Sequence, residues 1–382
     1  MIIFYPFFIL ISIFFPRQKK LWVFGCHDGY WENTRYFFDF SSDKKEFDCY
    51  WLANNEIEAS QVVGAGRKSI LKRSIRGYWI SARAECTFIC TGFSDVNRLL
   101  ALKSKVINFW HGTPIKKIYL DSVHDLNRFG SNFFSRKISI FLMKFLNRNV
   151  DFYFASNSLE CEIVSRAAGF SLGVGKVFGS PRFDKIRNPE NSKKLLEVRN
   201  KFDKVILFAP TWREAGEWKG WSLDSDKFQD LNSKLKLMNA VVLVKPHPLT
   251  QRQELEEIGL VESENIIYSS GLGISDINLM YAHTDILITD VSSSMFDYLI
   301  FSKPLIMFMP DVEEYVGGGR GVYEYFLSAL RDNAIRNWGK LIDEINCSRE
   351  NRNLQFQAVV EEVAKLKDTN ARIYNYLKAE LL

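Results

Sequence analysis

The feature that most constrains the fold is a repeated alternation of short apolar segments with helix-like stretches. In the first half, the apolar segments predict strands at 21–25, 48–52, 87–90 and 106–109. The second half repeats the pattern at 205–209, 241–244, 285–288 and 304–308. Strands that alternate with helices form parallel sheets of βαβ units. The sequence therefore predicts an α/β protein with two Rossmann-like halves.

The length also favours two domains, because 382 residues exceed what one hydrophobic core usually spans. A polar stretch at 184–198 that contains Pro189 marks the expected boundary. We expect one domain at 17–190 and a second at 191–382, which ends in closing helices at 356–382. Ligands of open α/β sheets bind beyond the carboxyl ends of the strands, so the expected site is a cleft between the domains.

Residues 1–16 form an apolar N-terminal segment that is followed by Arg17, Lys19 and Lys20. The segment is too short for an ordinary spanning helix and contains Pro6. It also lacks the basic start and the cleavage site of a secretory signal. One interpretation is a buried first strand and loop. The other, which we expect, is a membrane contact with the cations at the cytoplasmic headgroups.

A second candidate for membrane contact is the stretch 133–148, FFSRKISIFLMKFLNR. Its apolar residues share one helical face, and Arg136, Lys137, Lys144 and Arg148 lie elsewhere. This pattern is typical of a basic amphipathic helix at a membrane surface. The alternative is a helix that packs its apolar face on the domain core.

Charge and cysteine content exclude several classes of function. The net charge of +5 suits anionic partners, but the chain has no nucleic-acid-binding motif, and we expect no nucleic-acid partner. The six cysteines are scattered without a CxxC pair, which indicates reduced thiols and no metal site. Asp224 and Asp226 form a lone Asp-x-Asp that we interpret as a solvated loop.

Polar side chains follow two of the predicted strands, one in each half. His111 follows the strand at 106–109 and is suited to act as a base. After it, Gly112 permits close backbone approach and Thr113 is a candidate helix cap. In the second half, Thr211 and Arg213 follow the strand at 205–209, and Arg213 is a candidate phosphate clamp.

Two further strand ends carry similar chemistry. Lys245 and His247 lie between prolines after the strand at 241–244, and a cation with an imidazole suits a diphosphate. After the strand at 285–288, Ser292 and Ser293 open a helix, which predicts an anion cradle or a simple cap. Asp297 lies one turn into that helix. The glycine-rich stretch 317–321 is no Walker motif, but its Arg320 is a candidate for substrate contact.

In this order, the motifs resemble those of the CDP-glycerol glycerophosphotransferase family of teichoic acid and capsule polymer synthesis. The matching stretches are WHGTPIKK at 110–117, GSPRFD at 179–184, FAPTWR at 208–213, KPHP at 245–248, ITDVSSSMFDYL at 288–299, PDVEEY at 310–315 and RGVY at 320–323. The resemblance implies a GT-B-like fold, in which two facing Rossmann-type domains enclose the active site. It assigns acceptor and catalysis to 17–190 and the donor to 191–382.

The resemblance also implies functional residues. It makes His111 and His247 catalytic, with His111 as general base and His247 at the donor diphosphate. The implied donor site comprises His111, Gly112, Thr113, Pro114, Ile115, Arg182, Pro210, Thr211, Lys245, Pro246, His247, Ser292, Ser293 and Asp297. No metal or cofactor is implied beyond the donor substrate, CDP-glycerol or CDP-ribitol.

The implied reaction transfers a polyol phosphate to a hydroxyl of a lipid-linked or polymer acceptor at the cytoplasmic face of the membrane, with release of CMP. Glycerol phosphate is the expected unit, and ribitol phosphate is the alternative. A nucleotide-sugar glycosyltransferase of the same architecture is a second alternative. A non-catalytic adaptor that binds anionic lipid is a third, although it leaves the histidines and hydroxyls at the strand ends unexplained.

Overall fold

The protein is described from a computed structural model that covers residues 5–12, 14–128, 132–189, 192–213, 218, 220–247, 249–274, 276–317, 321–347 and 356–381. The chain divides into two compact units. Unit 1 comprises Met1–Thr113, Ile118–Asp184 and Leu366–Leu382, and unit 2 comprises Pro114–Lys117 and Lys185–Lys365.

Unit 1 is built on one parallel sheet. Its strands are β1 (Gln18–Phe24), β2 (Asp48–Ala53), β3 (Ser69–Leu71), β4 (Ala84–Ile89), β5 (Lys105–Asn108), β6 (Val150–Ala155) and β7 (Gly175–Val177). They lie in the order β3-β2-β1-β4-β5-β6-β7, and the adjacent strands are parallel. The carboxyl ends of all these strands therefore lie along one edge of the sheet.

Both faces of this sheet are buried. Trp22 and Phe24 enter an aromatic core on one face, whereas Leu21 and Val23 enter an aliphatic core on the other. The Phe24 and Phe88 rings stack with their centroids 4.3 Å apart. Burial of one such side chain contributes about 2–3 kcal/mol. Burial on both faces explains why the strands read as continuous apolar runs rather than alternating ones.

Helices alternate with these strands along the chain. They are α1 (Tyr5–Ser12), α2 (Glu32–Lys44), α3 (Glu56–Gly64), α4 (Ile75–Arg83), α5 (Arg98–Ala101), α6 (Val123–Arg128), α7 (Phe133–Asn147), α8 (Ser158–Ala168) and α9 (Phe183–Arg187), whose last three residues belong to unit 2. Asn55, Ser74 and Asn157 cap α3, α4 and α8, because each side chain accepts a backbone N–H of the first turn.

Unit 2 repeats the architecture on a smaller sheet. Its strands are β8 (Lys204–Ala209), β9 (Ala240–Val244), β10 (Ile266–Tyr268), β11 (Ile286–Thr289) and β12 (Leu305–Met307). They are parallel, in the order β10-β9-β8-β11-β12. The remaining helices are α10 (Lys193–Lys201), α11 (Ser225–Leu237), α12 (Arg252–Glu257), α13 (Asn278–Tyr281), α14 (Ser294–Tyr298), α15 (Val312–Gly317), α16 (Glu324–Asn333), α17 (Trp338–Cys347), α18 (Gln357–Lys365) and α19 (Thr369–Leu381), the last of which belongs to unit 1.

The limits of the two units differ from the sequence prediction, which placed Pro114–Lys117 in the first domain. The division falls between Asp184 and Lys185 rather than after residue 190. The assignment of all closing helices to the second domain is wrong for α19, which belongs to unit 1. Ile373 and Leu377 of α19 are fully buried in the aromatic core with Trp22. This apolar contact joins α19 to Trp22 of β1, which lies far from it in sequence, and so holds α19 in unit 1.

Two apolar elements expose much of their surface. The described part of the N-terminal segment is a helix, α1, and not the buried strand that one interpretation foresaw. It packs on α4 and α5 through Phe8, whereas Phe7 and Leu10 are exposed. On α7, Phe134, Ile138 and Phe141 are 60–77% exposed, so its apolar face does not pack on the core. In the part of the chain that is described, no helix combines the length and apolar character needed to cross a bilayer.

Candidate active site

His111 lies on a constrained loop after β5, at the carboxyl edge of the unit 1 sheet. Trp110 has a φ of 51° and Gly112 a φ of 133°, so the chain turns sharply on both sides of the histidine. The Trp110 N–H donates to the side chain of Asn108 at 2.7 Å, and Asn33 donates to the Trp110 carbonyl at 2.8 Å. Buried polar groups therefore fix the backbone that leads into His111.

The surroundings of the His111 ring favour the neutral imidazole. The ring lies against that of Trp110, with 4.2 Å between centroids. Burial, followed by the charge of Arg182, lowers the pKa of His111 from 6.5 to about 4. The nearby Cys90 backbone partly offsets this fall in pKa, but the buried Nδ1 has no well-formed hydrogen bond in the described part of the chain. An unsatisfied nitrogen with a perturbed pKa is a mark of a functional site.

Arg182 supports the histidine from the loop after β7. It is 3% exposed, and its guanidinium donates to Glu32 at 3.0 Å and to the His111 carbonyl at 3.2 Å. Its backbone N–H donates to the Asn33 side chain at 3.2 Å. The geometry therefore favours a role in positioning His111, whereas the family resemblance implies a contact with the donor.

Thr113 anchors the other side of the loop. Its hydroxyl accepts a hydrogen bond from Asn157 at 2.8 Å and donates to the buried Glu160 at 3.3 Å. Ser156 also donates to Glu160, at 2.5 Å. The prediction that Thr113 caps a helix is wrong, since the chain continues as an extended segment.

That extended segment holds Pro114 and Ile115 and belongs to unit 2. The Lys117 N–H donates to the Gly321 carbonyl, and the Tyr323 N–H donates to the Ile115 carbonyl, both at 3.0 Å. The Tyr325 hydroxyl donates to the Pro114 carbonyl. Backbone pairing therefore decides the conformation here, and Ile115 is buried at 4% exposure.

In unit 2, the residues after β8 are tied to the end of β11. Thr211 donates its N–H and its hydroxyl to Asp290, at 2.9 and 2.7 Å. The preceding Pro210 is buried. Arg213 is 3% exposed and contacts Asp311 at 2.6 Å and Asp290 at 2.7 Å. The prediction that Arg213 clamps a phosphate is wrong, because two buried carboxylates hold its guanidinium.

After β9, Lys245 and His247 present a cation and an imidazole. Burial lowers the pKa of Lys245, whose ammonium donates to the Pro246 carbonyl at 3.2 Å. The Nδ1 of the exposed His247 accepts the Leu249 N–H at 3.2 Å, so the neutral ring carries its proton on Nε2. Burial, Lys245 and Lys116 lower the pKa of His247. His247 is therefore suited to donate a hydrogen bond to an anion.

After β11, the serine-rich loop enters α14. Ser292 and Ser294 hydrogen-bond through their hydroxyls at 2.6 Å, and Ser292 accepts the Ser294 N–H at 3.3 Å. Ser293 is the N-cap residue but makes no capping bond with its side chain. Asp297 is 7% exposed within α14. The loop thus combines hydroxyls with the start of a helix, as the sequence predicted.

The topology of unit 2 brings these groups together. Because β9, β8 and β11 are parallel neighbours, their ends lie side by side with about 4.8 Å between strands. One edge therefore carries Thr211, Lys245, His247, Ser292 and Ser293. In unit 1, the edge carries His111, Gly112 and Thr113, with Arg182 behind them.

Sequence reasoning missed the residues that support this arrangement. Asn33, Glu160 and Asp290 are buried polar side chains that hold the loops of His111, Thr113 and Thr211. Asp290 lies within a motif and directly after a strand, a position that could have indicated it. Nothing local marks Asn33 or Glu160. Asp224, expected in a loop, caps α11 by accepting the Lys227 N–H. Arg320 lies outside the described residues.

Comparisons with known proteins agree with this architecture. The chain is 28% identical over 328 residues to the teichoic acid poly(glycerol phosphate) polymerase of Bacillus subtilis, but spans only 41% of that protein. It is 26% identical to the Bacillus spizizenii polymerase, covering 87% of this chain and 84% of the relative. The solved structure of the wall teichoic acid polymerase TagF superposes with a TM-score of 0.74 at 21% identity, over 99% of this chain and 93% of that one.

The structural likeness supports a GT-B-like, two-domain α/β fold. The sequence profile of one family, described as CDP-glycerol:poly(glycerophosphate) glycerophosphotransferase, matches residues 7–378. Because this match spans nearly the whole chain, the protein belongs to the CDP-glycerol:poly(glycerophosphate) glycerophosphotransferase family.

Proposed function

We propose that the protein transfers a polyol phosphate, glycerol phosphate in the first instance, from a CDP-activated donor to a hydroxyl of a membrane-associated acceptor. The pathway class would be the synthesis of teichoic acid or a capsular polymer. The observation that carries this proposal is the neutral His111 on its fixed loop after β5. The names of the relatives and a TagF structure soaked with CDPG support the choice of donor.

The reaction follows from the chemistry of the strand-end residues. The acceptor hydroxyl oxygen attacks the phosphorus that bears the glycerol, and His111 takes the hydroxyl proton. A new P–O bond forms as the bond to the CMP oxygen breaks, and CMP leaves with that electron pair. Lys245 and the Nε2–H of His247 stabilise negative charge on the diphosphate, and the Ser292 and Ser293 loop binds the remaining oxygens. Asp297 is our candidate for the residue that accepts a hydrogen bond from a hydroxyl of the donor.

Two related activities are alternatives. A ribitol-phosphate polymerase of Staphylococcus aureus is 29% identical over 144 residues, so the polyol could be ribitol. A nucleotide-sugar glycosyltransferase would share the fold but would transfer a glycosyl unit without its phosphate. The mass of the product distinguishes the three activities.

The exposed apolar faces of α1 and α7 support a location at a membrane surface. Lys137, Lys144 and Arg148 flank the α7 face, and such cations attract anionic headgroups. The acceptor would then be lipid-linked and held at the cytoplasmic side, where the nucleotide donor is made available.

The central test measures CMP release by the purified protein with CDP-glycerol, CDP-ribitol or a UDP-sugar and a lipid-linked glycerol-phosphate acceptor. We expect CDP-glycerol to be used and His111→Ala to reduce the rate by at least about 100-fold, since general bases contribute factors of that order. His124→Ala, at an exposed histidine, is the matched control. Near-normal turnover of the His111 variant, or use of the UDP-sugar alone, would contradict the proposal.

A further inference from the structure

Unit 1 contains an open cavity of about 540 Å³ that no step of the proposed reaction uses. Its walls come from the loops at the carboxyl ends of four adjacent strands, β3, β2, β1 and β4. The cavity therefore lies at the same edge of the sheet as His111, which follows β5. Parallel strands lie about 4.8 Å apart, so the loops after β1 and β5 are separated by roughly 10 Å.

The cavity has a surplus of positive charge. Lys72, Arg73 and Arg98 line it together with His27, whereas its described lining includes no carboxylate. Arg73 and Arg98 are exposed, and neither forms an ion pair with another described residue. By contrast, Arg67, Arg199 and Arg252 each pair with a carboxylate. Unneutralised cations in a concave surface attract anionic ligands.

Lys72 gives the cavity a rigid floor. It is 7% exposed, and its ammonium donates to the Asn54 side chain at 2.5 Å and to the Ser94 carbonyl at 3.0 Å. These bonds join the loops after β2, β3 and β4. The nearby carboxylate of Asp95 is engaged by backbone N–H groups of His27, Cys90 and Thr91. The site is therefore built before a ligand arrives.

One wall of the cavity is aromatic and borders the exposed helix α1. Tyr78 and Phe93 line the cavity, and the Tyr78 ring packs against Phe8 of α1 with 5.7 Å between centroids. On the same helix, Phe7 and Leu10 are 56% and 64% exposed. A ligand here would meet cations, an apolar wall for its carbon skeleton and a neighbouring apolar surface.

We propose that this cavity binds a phosphodiester group of the acceptor chain, upstream of the hydroxyl that is extended. The inference rests on the proposed function, in which the acceptor carries phosphate and is linked to lipid. Arg73 and Arg98 hold the phosphate oxygens, and Tyr78 with Phe93 contacts the polyol carbons. A chain held here along the sheet edge presents its end toward the His111 loop.

The test compares the double variant R73Q/R98Q with wild type. Both arginines are exposed, so their replacement leaves the fold intact. We expect the KM for a soluble glycerol-phosphate oligomer to rise about tenfold or more, while the KM for CDP-glycerol stays within about twofold. R76Q, at an exposed arginine of α4 that does not line the cavity, controls for loss of charge and should match wild type.

Binding measurements test the proposal independently of turnover. Titration calorimetry measures the same oligomer, and flotation measures vesicles of anionic phospholipid, each with wild type and R73Q/R98Q. Loss of oligomer binding with vesicle binding retained supports the proposal, even if CDP-glycerol proves to be the wrong donor. Loss of vesicle binding alone identifies a lipid-headgroup site and overturns it. Unchanged binding of both probes also overturns it, whatever the activity of the wild-type enzyme.

Discussion

At the scale of single residues, buried polar side chains hold the loop that carries His111. Asn33 holds the Trp110 carbonyl, Arg182 holds the His111 carbonyl, and Glu160 holds Thr113. Loss of one partner would leave the others unsatisfied in a buried site, at a cost of about 1–3 kcal/mol. The position of His111 therefore depends on these buried hydrogen-bond partners as much as on β5.

The lowered pKa of His111 predicts an unusual pH profile. Because the group titrates at about 4 rather than 6.5, the base form persists in mildly acidic solution. We expect kcat/KM for CMP release to stay nearly constant from pH 7 down to about 5 and then to fall. R182Q removes a cation that lowers this pKa, so its acidic limb should move to higher pH. An acidic limb near 6.5 in the wild type, unmoved in R182Q, would exclude His111 as the titrating base.

At the scale of elements, α7 is the clearest departure from ordinary packing. Its residues Phe133–Asn147 include six large apolar side chains that are at least half exposed. Monomeric proteins rarely expose contiguous apolar patches of this kind unless the patch has a partner. Flanking cations make an anionic bilayer the partner that we propose.

Replacement of two of these side chains tests that interpretation. We expect F134E/F141E to lose at least about tenfold in binding to anionic vesicles, since each charge opposes both apolar insertion and headgroup attraction. Flotation measures the binding. V63E/L237E introduces the same charges at exposed apolar positions of α3 and α11 and should bind like wild type. Equal binding of both double variants would mean that α7 is not the contact.

At the scale of the whole molecule, the chain does not divide into two consecutive pieces. Unit 1 includes the C-terminal helix α19, and unit 2 includes the short segment Pro114–Lys117. Asp184 accepts the backbone N–H groups of Thr369 and Asn370, each at 2.9 Å, which fixes the start of α19. Unit 1 is therefore completed only by the last residues of the chain.

Stability measurements can test this dependence. Ile373 is fully buried in the aromatic core, and truncation to alanine of such a residue costs about 2–5 kcal/mol. We expect I373A to lower the midpoint of urea unfolding markedly. Tryptophan fluorescence monitors the unfolding. N375A, at an exposed position of the same helix, should leave the midpoint unchanged. A wild-type midpoint for I373A would show that α19 does not stabilise unit 1.

The α/β class, the main strands and the positions of the strand-end motifs follow from the sequence alone, because runs of buried apolar residues are local signals. Strands such as β1, β5, β8 and β9 are confirmed close to their predicted limits. The three-residue strands β3, β7 and β10 were missed, since so short a run carries no periodicity, and the six-residue strand β6 was missed as well.

The partners of the polar side chains, by contrast, depend on how the chain folds. Arg213 and Arg182 look alike in sequence, yet one is held by two carboxylates and the other supports His111. The sequence likewise predicted neither the packing of α19 on unit 1 nor whether the apolar face of α7 is covered. An amphipathic pattern reveals an apolar face but not what covers it. Such outcomes depend on contacts between residues far apart in the chain, which no local pattern encodes.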